Sequence, residues 1–113
     1  MSYVPGRGDL VWLNFDPQAG HEQAGRRPAF VLSPDAYNRK TGLFLACPVT
    51  SKVKGYPFEV PLSTGLVVSG VVLADQVKSL DWKIRKAEFV SKTSDEVVSD
   101  VISLILPLIG EEG

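Results

Sequence analysis

The sequence predicts a mainly β domain with a C-terminal α-helix, arranged as a small β-barrel or rolled sheet. Three observations carry that expectation. Five to seven short segments between residues 9 and 90 are apolar or alternate over strand-like lengths, and Pro- and Gly-containing polar stretches separate them. Helical periodicity is confined to the C-terminal end. A chain of 113 residues supports one hydrophobic core but not two. Residues 1–113 are therefore read as one domain, with strands in about 9–90, a terminal helix at about 94–109 and an acidic tail at 110–113.

The first strand is expected at Asp9 to Asp16. There Leu10, Trp12 and Asn14 alternate with Val11, Leu13 and Phe15, and Trp12 takes the less buried face. Pro17 to Arg27 breaks the pattern and forms a polar loop of about ten residues, a length that in small domains tends to carry function. Pro28 to Ser33 is a short buried strand. Pro34 opens a turn, Asp35 to Lys40 forms one short helical turn, and Thr41-Gly42 closes it. Leu43 to Val49 is the third strand and buries Cys47. Thr50 to Gly55 is a second polar loop. Tyr56 to Leu62 alternates and contains two prolines, which suits an edge strand because proline donates no ladder bond. Val67 to Ala74 and Ile84 to Val90 are further strands, connected by Asp75 to Trp82.

The last element differs in kind. Thr93 to Glu96 reads as a Thr-x-x-Glu capping box, with Thr93 as the cap and two acids in a first turn that the helix dipole favours. Val97, Val98, Val101, Ile102, Ile105, Leu108 and Ile109 recur at helical spacing, and Leu104 and Leu106 widen the stripe. Pro107 falls in the last turn or kinks it. So wide an apolar face fits either a helix that plugs the barrel or one that also forms a dimer interface.

Composition excludes several classes. Twelve basic residues oppose 13 acidic ones, for a net charge of -1, which argues against a protein that binds nucleic acid by bulk charge. The distribution matters more than the sum. Residues 1 to 92 hold all 12 basic residues and only eight acids, whereas residues 93 to 113 hold five acids and no base. A basic body with an acidic end suits a short single-stranded site better than a long duplex. The single cysteine permits no internal disulfide and points to a reducing, cytoplasmic setting. No apolar run is long enough to span a membrane, and Met1 to Gly8 lacks the apolar core of a signal peptide. With only Cys47 and His21 as soft ligands, neither a metal nor a cofactor is expected.

Two loops concentrate the chemistry. The first, His21 to Pro28, brings together an acid, an imidazole and two guanidiniums. Arginine offers a donor fork that engages two phosphate oxygens, and Glu22 is able to take a proton. The second, Pro48 to Gly55, adds the hydroxyls of Thr50 and Ser51 and the ammoniums of Lys52 and Lys54. Trp12, Phe15, Tyr56 and Phe58 flank both loops, where aromatic rings can stack unpaired bases. The alternative for each is plain: solvated loops whose charges pair among themselves, and aromatics that belong to the core.

Several blocks together resemble one family. Gly8-Asp9-Leu10-Val11-Trp12 through Phe15-Asp16-Pro17 resembles the opening of the MazF toxins. Glu22-Gln23-Ala24-Gly25-Arg26-Arg27-Pro28-Ala29-Phe30-Val31-Leu32-Ser33 is similar to their most distinctive stretch. Tyr37-Asn38, Lys40-Thr41-Gly42, Lys54 to Val60 and Leu73 to Ser79 match in the same order. The resemblance covers nearly all of residues 3 to 110. It implies a toxin of a bacterial toxin–antitoxin pair, with an SH3-like (PemK/CcdB-type) small β-barrel that acts as a homodimer. It implies sequence-specific, metal-independent cleavage of single-stranded RNA, mostly mRNA, leaving a 2′,3′-cyclic phosphate and a 5′-hydroxyl and so inhibiting translation. It also implies a MazE-type antitoxin whose acidic disordered segment wraps the toxin. On this resemblance Arg27 and Thr50 fall on the catalytic Arg and Thr, and Glu22 on the active-site Glu.

The residues suit that reaction. Attack by a ribose 2′-hydroxyl needs in-line geometry, a base at O2′, charge stabilisation on the phosphorane and a proton at O5′. Arg27 is assigned to the phosphorane oxygens, Thr50 to a hydroxyl hydrogen bond on the same group, and Glu22 to the 2′-hydroxyl proton. Guanidinium, with a pKa above about 12, is a poor base near neutrality. Asn14, Phe15, His21, Gln23 and Arg26 from the first loop and its stems are expected to contact RNA. Ser51, Lys52, Lys54 and Tyr56 from the second join them, with Gln76 and Lys78. Asn14, His21 and Arg26 stand where an enteric member carries Asp, Ser and His, which bears on the RNA sequence read. The alternatives are a gyrase-poisoning toxin on a similar barrel and a non-catalytic RNA-binding barrel.

Overall fold

The computed structural model describes residues 3–15 and 25–110. Among them are seven strands and two helices: β1 (Asp9–Asn14), β2 (Arg26–Val31), α1 (Asp35–Thr41), β3 (Leu43–Thr50), β4 (Glu59–Pro61), β5 (Val71–Leu73), β6 (Lys78–Asp81), β7 (Glu88–Lys92) and α2 (Asp95–Ile109). A 3-10 turn at Ala74–Gln76 separates β5 from β6. Every strand pairing is antiparallel. The order runs β4-β5-β3-β2-β1-β7, and β6 pairs with β3 off that path. The two end strands do not meet, so the sheet is an open barrel rather than a closed one.

The central strands are buried on both faces. Leu10, Phe30, Cys47, Val49 and Val72 pack with Val97, Val101 and Ile105 of α2 on one side. Val11, Leu13, Ala29, Val31, Phe44 and Ala46 pack with Leu80 and Trp82 on the other. Two-sided burial explains why β2 and β3 read as apolar runs rather than as clean alternation.

Four expected boundaries shift. Arg26 and Arg27 are strand rather than loop, because Arg26 pairs with Asn14 and Arg27 with Leu13 across β1. The expected connector Asp75 to Trp82 contains β6, whose single buried residue Leu80 gives no periodic signal. The strand expected at Ile84 to Val90 begins at Glu88. Ile84 lies in a turn held by Asp81, whose carboxylate accepts from Lys83 N and Ile84 N, and is 67% exposed. The expected strands 56–62 and 67–74 shrink to three residues each, although β4 is at the sheet edge as its prolines suggest.

The α2 cap also moves by one residue. Ser94 Oγ accepts from Val97 N at 3.2 Å. Thr93 Oγ1 instead donates to Gly8 O at 2.7 Å, and Thr93 N donates to the same carbonyl at 2.8 Å. Pro107 lies inside the last turns, and the helix continues through it to Ile109. Only part of the apolar stripe is consumed. Val97, Val101 and Ile105 are buried, whereas Leu106, Leu108 and Ile109 are exposed. No helix among the described residues is long and apolar enough to cross a membrane. The terminal Glu111, Glu112 and Gly113 lie outside the described residues.

Candidate functional site

The site begins with strand register. β2 and β3 pair as Ala29↔Pro48, Phe30↔Cys47 and Val31↔Ala46. That ladder ends at Ala29 and Pro48; two positions further along the same faces stand Arg27 and Thr50, and both line the same cavities. Further along the strands that face buries Ala29, Val31 and Ala46; at its end it emerges as an exposed Arg27 and a half-buried Thr50. Alternation sends Arg26 to the opposite face. There its guanidinium donates to Asn14 Oδ1 (3.0 Å), Lys86 O (2.9 Å) and Glu88 Oε1 (3.0 Å), tying β1 to β7 and the turn before it. The two adjacent arginines thus have different surroundings.

A groove of about 510 Å³ is lined by Arg27, Thr50, Lys52, Lys54, Tyr56 and Gln76, with Pro48, Val49, Glu59 and Leu73 as its remaining walls. A second cavity of about 490 Å³ shares Arg27, Val49, Thr50 and Lys52 but is otherwise built from Trp12, Pro28, Ser51, Val67, Val68 and Ser69. Arg27 and Thr50 therefore stand where the two cavities meet. Gly70 brings the backbone close at this point. Its φ is +121°, and a Cβ there would lie 2.1 Å from Thr50 O, so only glycine fits.

The second loop has defined partners. Thr50 Oγ1 accepts from Lys52 N at 3.1 Å, which leaves its O–H to donate outward. Glu59 accepts from Lys54 N at 3.0 Å and Gly55 N at 3.1 Å. Tyr56 O–H donates to Asp75 Oδ2 at 2.7 Å. That bond, and then the carboxylate charge, pushes the Tyr56 pKa above its ordinary value, so the phenol stays neutral. Among the described residues, Lys52, Lys54 and Lys78 make no ion pair. Cys47 is buried in the core with Sγ 3.8 Å from Ala74 O, its thiol pushed up to about 12 by burial and then by the Asp75 charge.

Phe15 and Asn14 form the stem of the first loop. Phe15 N donates to Gly25 O at 2.8 Å, closing the stem. Arg85 donates to Asn14 O at 3.0 Å and to Phe15 O. Lys78 Nζ stands 5.9 Å from the Phe15 ring centre, a cation–π arrangement. His21, Glu22 and Gln23 lie outside the described residues.

The structure thus gathers Arg27, Thr50, Ser51, Lys52, Lys54, Tyr56 and Gln76 along the two cavities. It sets Phe15 beside Lys78, and turns Asn14 and Arg26 toward each other. Sequence reading did not single out Glu59, Asp75, Gly70 or Arg85 as site residues. Their partners lie up to 71 residues away, and no spacing rule reports them. Among the described residues, no three of His, Cys, Asp and Glu gather where they could hold a metal ion.

Fold and groove together define a small, open antiparallel β protein with an exposed arginine and a threonine hydroxyl on one groove wall and a helix whose apolar face is only partly covered. Residues 6–109 match the family described as PemK-like, MazF-like toxin of type II toxin–antitoxin systems, and the chain belongs to that family. It is 53% identical over 108 residues to the endoribonuclease toxin MazF of Escherichia coli K12, covering 96% of each chain. Its fold is similar to that of the crystal structure of MazF from Deinococcus radiodurans, with a TM-score of 0.88, 60% identity, and 97% and 100% of the two chains covered. A MazE–MazF crystal structure from the same organism matches with a TM-score of 0.86 and 54% identity, over 96% and 98% of the chains.

Proposed function

We propose that this protein is the endoribonuclease toxin of a type II toxin–antitoxin pair and cleaves single-stranded RNA, chiefly mRNA, at a specific sequence without a metal. The observation that carries this reading is that Arg27 and Thr50, at the exposed end of an otherwise buried face, line the same two cavities, with unpaired lysines along one wall. The curated relatives bear endoribonuclease names. The gyrase-poisoning and non-catalytic alternatives leave this pair unexplained.

Arg27 donates to the phosphorane oxygens, where charge develops. Thr50, its oxygen already accepting from Lys52 N, donates its O–H to the same group. Glu22 takes the proton from the 2′-hydroxyl. The 2′-oxygen then bonds to phosphorus as the P–O5′ bond breaks, and the departing O5′ takes a proton from solvent water, giving a 2′,3′-cyclic phosphate and a 5′-hydroxyl. The nucleophile belongs to the substrate, so DNA lacking the 2′-hydroxyl binds without being cut. Phe15, Tyr56, Asn14, His21, Gln23, Arg26, Ser51, Lys52, Lys54, Gln76 and Lys78 contact the RNA around the cut.

The protein works in the cytoplasm as a homodimer. Supporting this is a surface cavity of about 430 Å³ lined by Leu32, Pro34, Tyr37, Leu45, Ile102 and Ile109 among others, continuous with the uncovered end of α2. An acidic, disordered MazE-type antitoxin segment fits the basic groove and competes with RNA there; the fold's likeness to the toxin chain of a MazE–MazF complex supports that partner.

The test is to incubate purified protein with a long mRNA, with and without EDTA, and map the new ends. Site-specific 5′-hydroxyl ends that persist in EDTA are expected. A metal requirement or 5′-phosphate ends would overturn the chemistry.

A further inference from the structure

Two carboxylates stand beside a groove that the preceding reading gives to a polyanion, and neither pairs with a lysine. Glu59 spends both oxygens on the backbone N–H groups of Lys54 and Gly55, at 3.0 and 3.1 Å. Asp75 accepts the Tyr56 O–H at 2.7 Å. Residues 51–58 contain no strand or helix. The bonds that shape this segment are these three, together with Glu59 N to Tyr56 O (3.1 Å), Ala74 N to Phe58 O (3.0 Å) and Lys52 N to Thr50 Oγ1 (3.1 Å).

On charge alone both acids repel RNA. We propose that Glu59 and Asp75 are positioning residues: they clasp the 51–58 segment so that Lys52, Lys54 and Tyr56 are held ready along the groove. Through those side chains they set how tightly, and at which base sequence, RNA is held. The proposal rests on the ribonuclease reading. Its physical basis is preorganisation. An unclasped segment has to be ordered when RNA binds, and that entropy is charged against affinity. The Tyr56 ring, fixed at its hydroxyl end, keeps one orientation for stacking, with Phe58 behind it at 5.9 Å between ring centres.

The sign of one measurement separates the clasp from simple electrostatics. Removing an acid from an RNA groove should lower KM if charge governs, and raise it if the clasp governs. Cleavage kinetics on a short RNA carrying the cut site are expected to show KM raised about tenfold in Glu59→Ala, the loss of about one effective hydrogen bond. Glu59→Gln should fall between, since its carbonyl still accepts one N–H, and kcat should change less than KM. Asp75→Ala and Tyr56→Phe should each raise KM, and the double variant should be no worse than either alone. Amide hydrogen exchange at Lys54 and Gly55 should quicken in Glu59→Ala while Tm holds.

Unchanged or lowered KM in Glu59→Ala and Glu59→Gln overturns the Glu59 clasp. Additive losses in the Asp75/Tyr56 pair overturn the other half. If Glu59→Ala does not fold, Glu59→Gln carries the same test. If the unaltered protein leaves RNA intact, the ribonuclease reading fails by itself. Amide exchange, identical with and without Glu59, would then sink the clasp separately.

Discussion

Replacing each of the two adjacent arginines of β2 by alanine should separate stability from activity. Arg26 donates three hydrogen bonds that join β1, β7 and the preceding turn. The ion pair within that set is modest, because the Arg26 and Glu88 side chains are 33% and 69% exposed, and it contributes about 0–1 kcal/mol. The bonds to Asn14 and Lys86 contribute about 0.5–1.5 kcal/mol each. Arg26→Ala should therefore cost about 2 kcal/mol and lower Tm by about 5–10 °C. Its cleavage rate should stay within about tenfold of the unaltered protein.

Arg27 is exposed at the groove. Arg27→Ala should leave Tm within a few degrees but reduce kcat by about 10²–10³, the loss typical of one transition-state donor. Thermal unfolding at fixed protein concentration and single-turnover cleavage of one RNA check both halves. If Arg26→Ala abolishes cleavage at unchanged Tm, or Arg27→Ala unfolds the protein with no specific rate loss, the assignment of the two side chains to opposite faces is wrong.

Thr50→Val keeps the side-chain shape and should reduce kcat by about 10–100-fold with little loss of stability, measured in the same assays. Gly70→Ala should lose both, because its methyl meets Thr50 O at 2.1 Å; a Tm within a degree of the unaltered protein would contradict the close approach. Ile109→Glu should shift the protein to monomer in sedimentation, since it places a charge in the uncovered apolar face. Cys47 should resist alkylation at pH 8 until the protein is unfolded. Its folded pKa is raised from 9.0 to about 12, so the native state holds the proton longer. That contribution is fully present below about pH 9 and fades as pH rises toward 12, so Cys47→Ala should flatten the loss of stability over that interval.

Much of the scaffold was legible from pattern alone. The β1, β2 and β3 segments, the short α1 closed by Gly42 with φ +75°, the proline-marked edge at β4 and the stripe of α2 all follow local rules. What escaped depends on partners distant in sequence. Nothing in Lys78-Ser79-Leu80-Asp81 announces a strand; it becomes one because Leu43 to Ala46 offers it a ladder. Thr93 satisfies the capping pattern as well as Ser94 does, and the carbonyl of Gly8 decides between them by taking Thr93 away. The candidate site divides in the same way. Residue types marked Glu22 as a proton acceptor and the arginines, hydroxyls and lysines of the two loops as phosphate ligands. The resemblance singled out Arg27 from Arg26 and Thr50 from Ser51, and strand alternation then gave the two arginines different faces.

The antiparallel pairing of β1 with β7 has a consequence for synthesis. Asp9 lies opposite Lys92, and Thr93 closes on Gly8 across 85 positions of chain. A chain made from its N-terminus outward has β2 and β3, with both Arg27 and Thr50, long before β1 gains its outer neighbour. The sheet remains one strand short until residue 92 has been made, and α2 cannot dock on it until later still. Such long-range closure slows folding. The residues that line the groove all lie between 27 and 76, so they are made well before the sheet that holds them is complete.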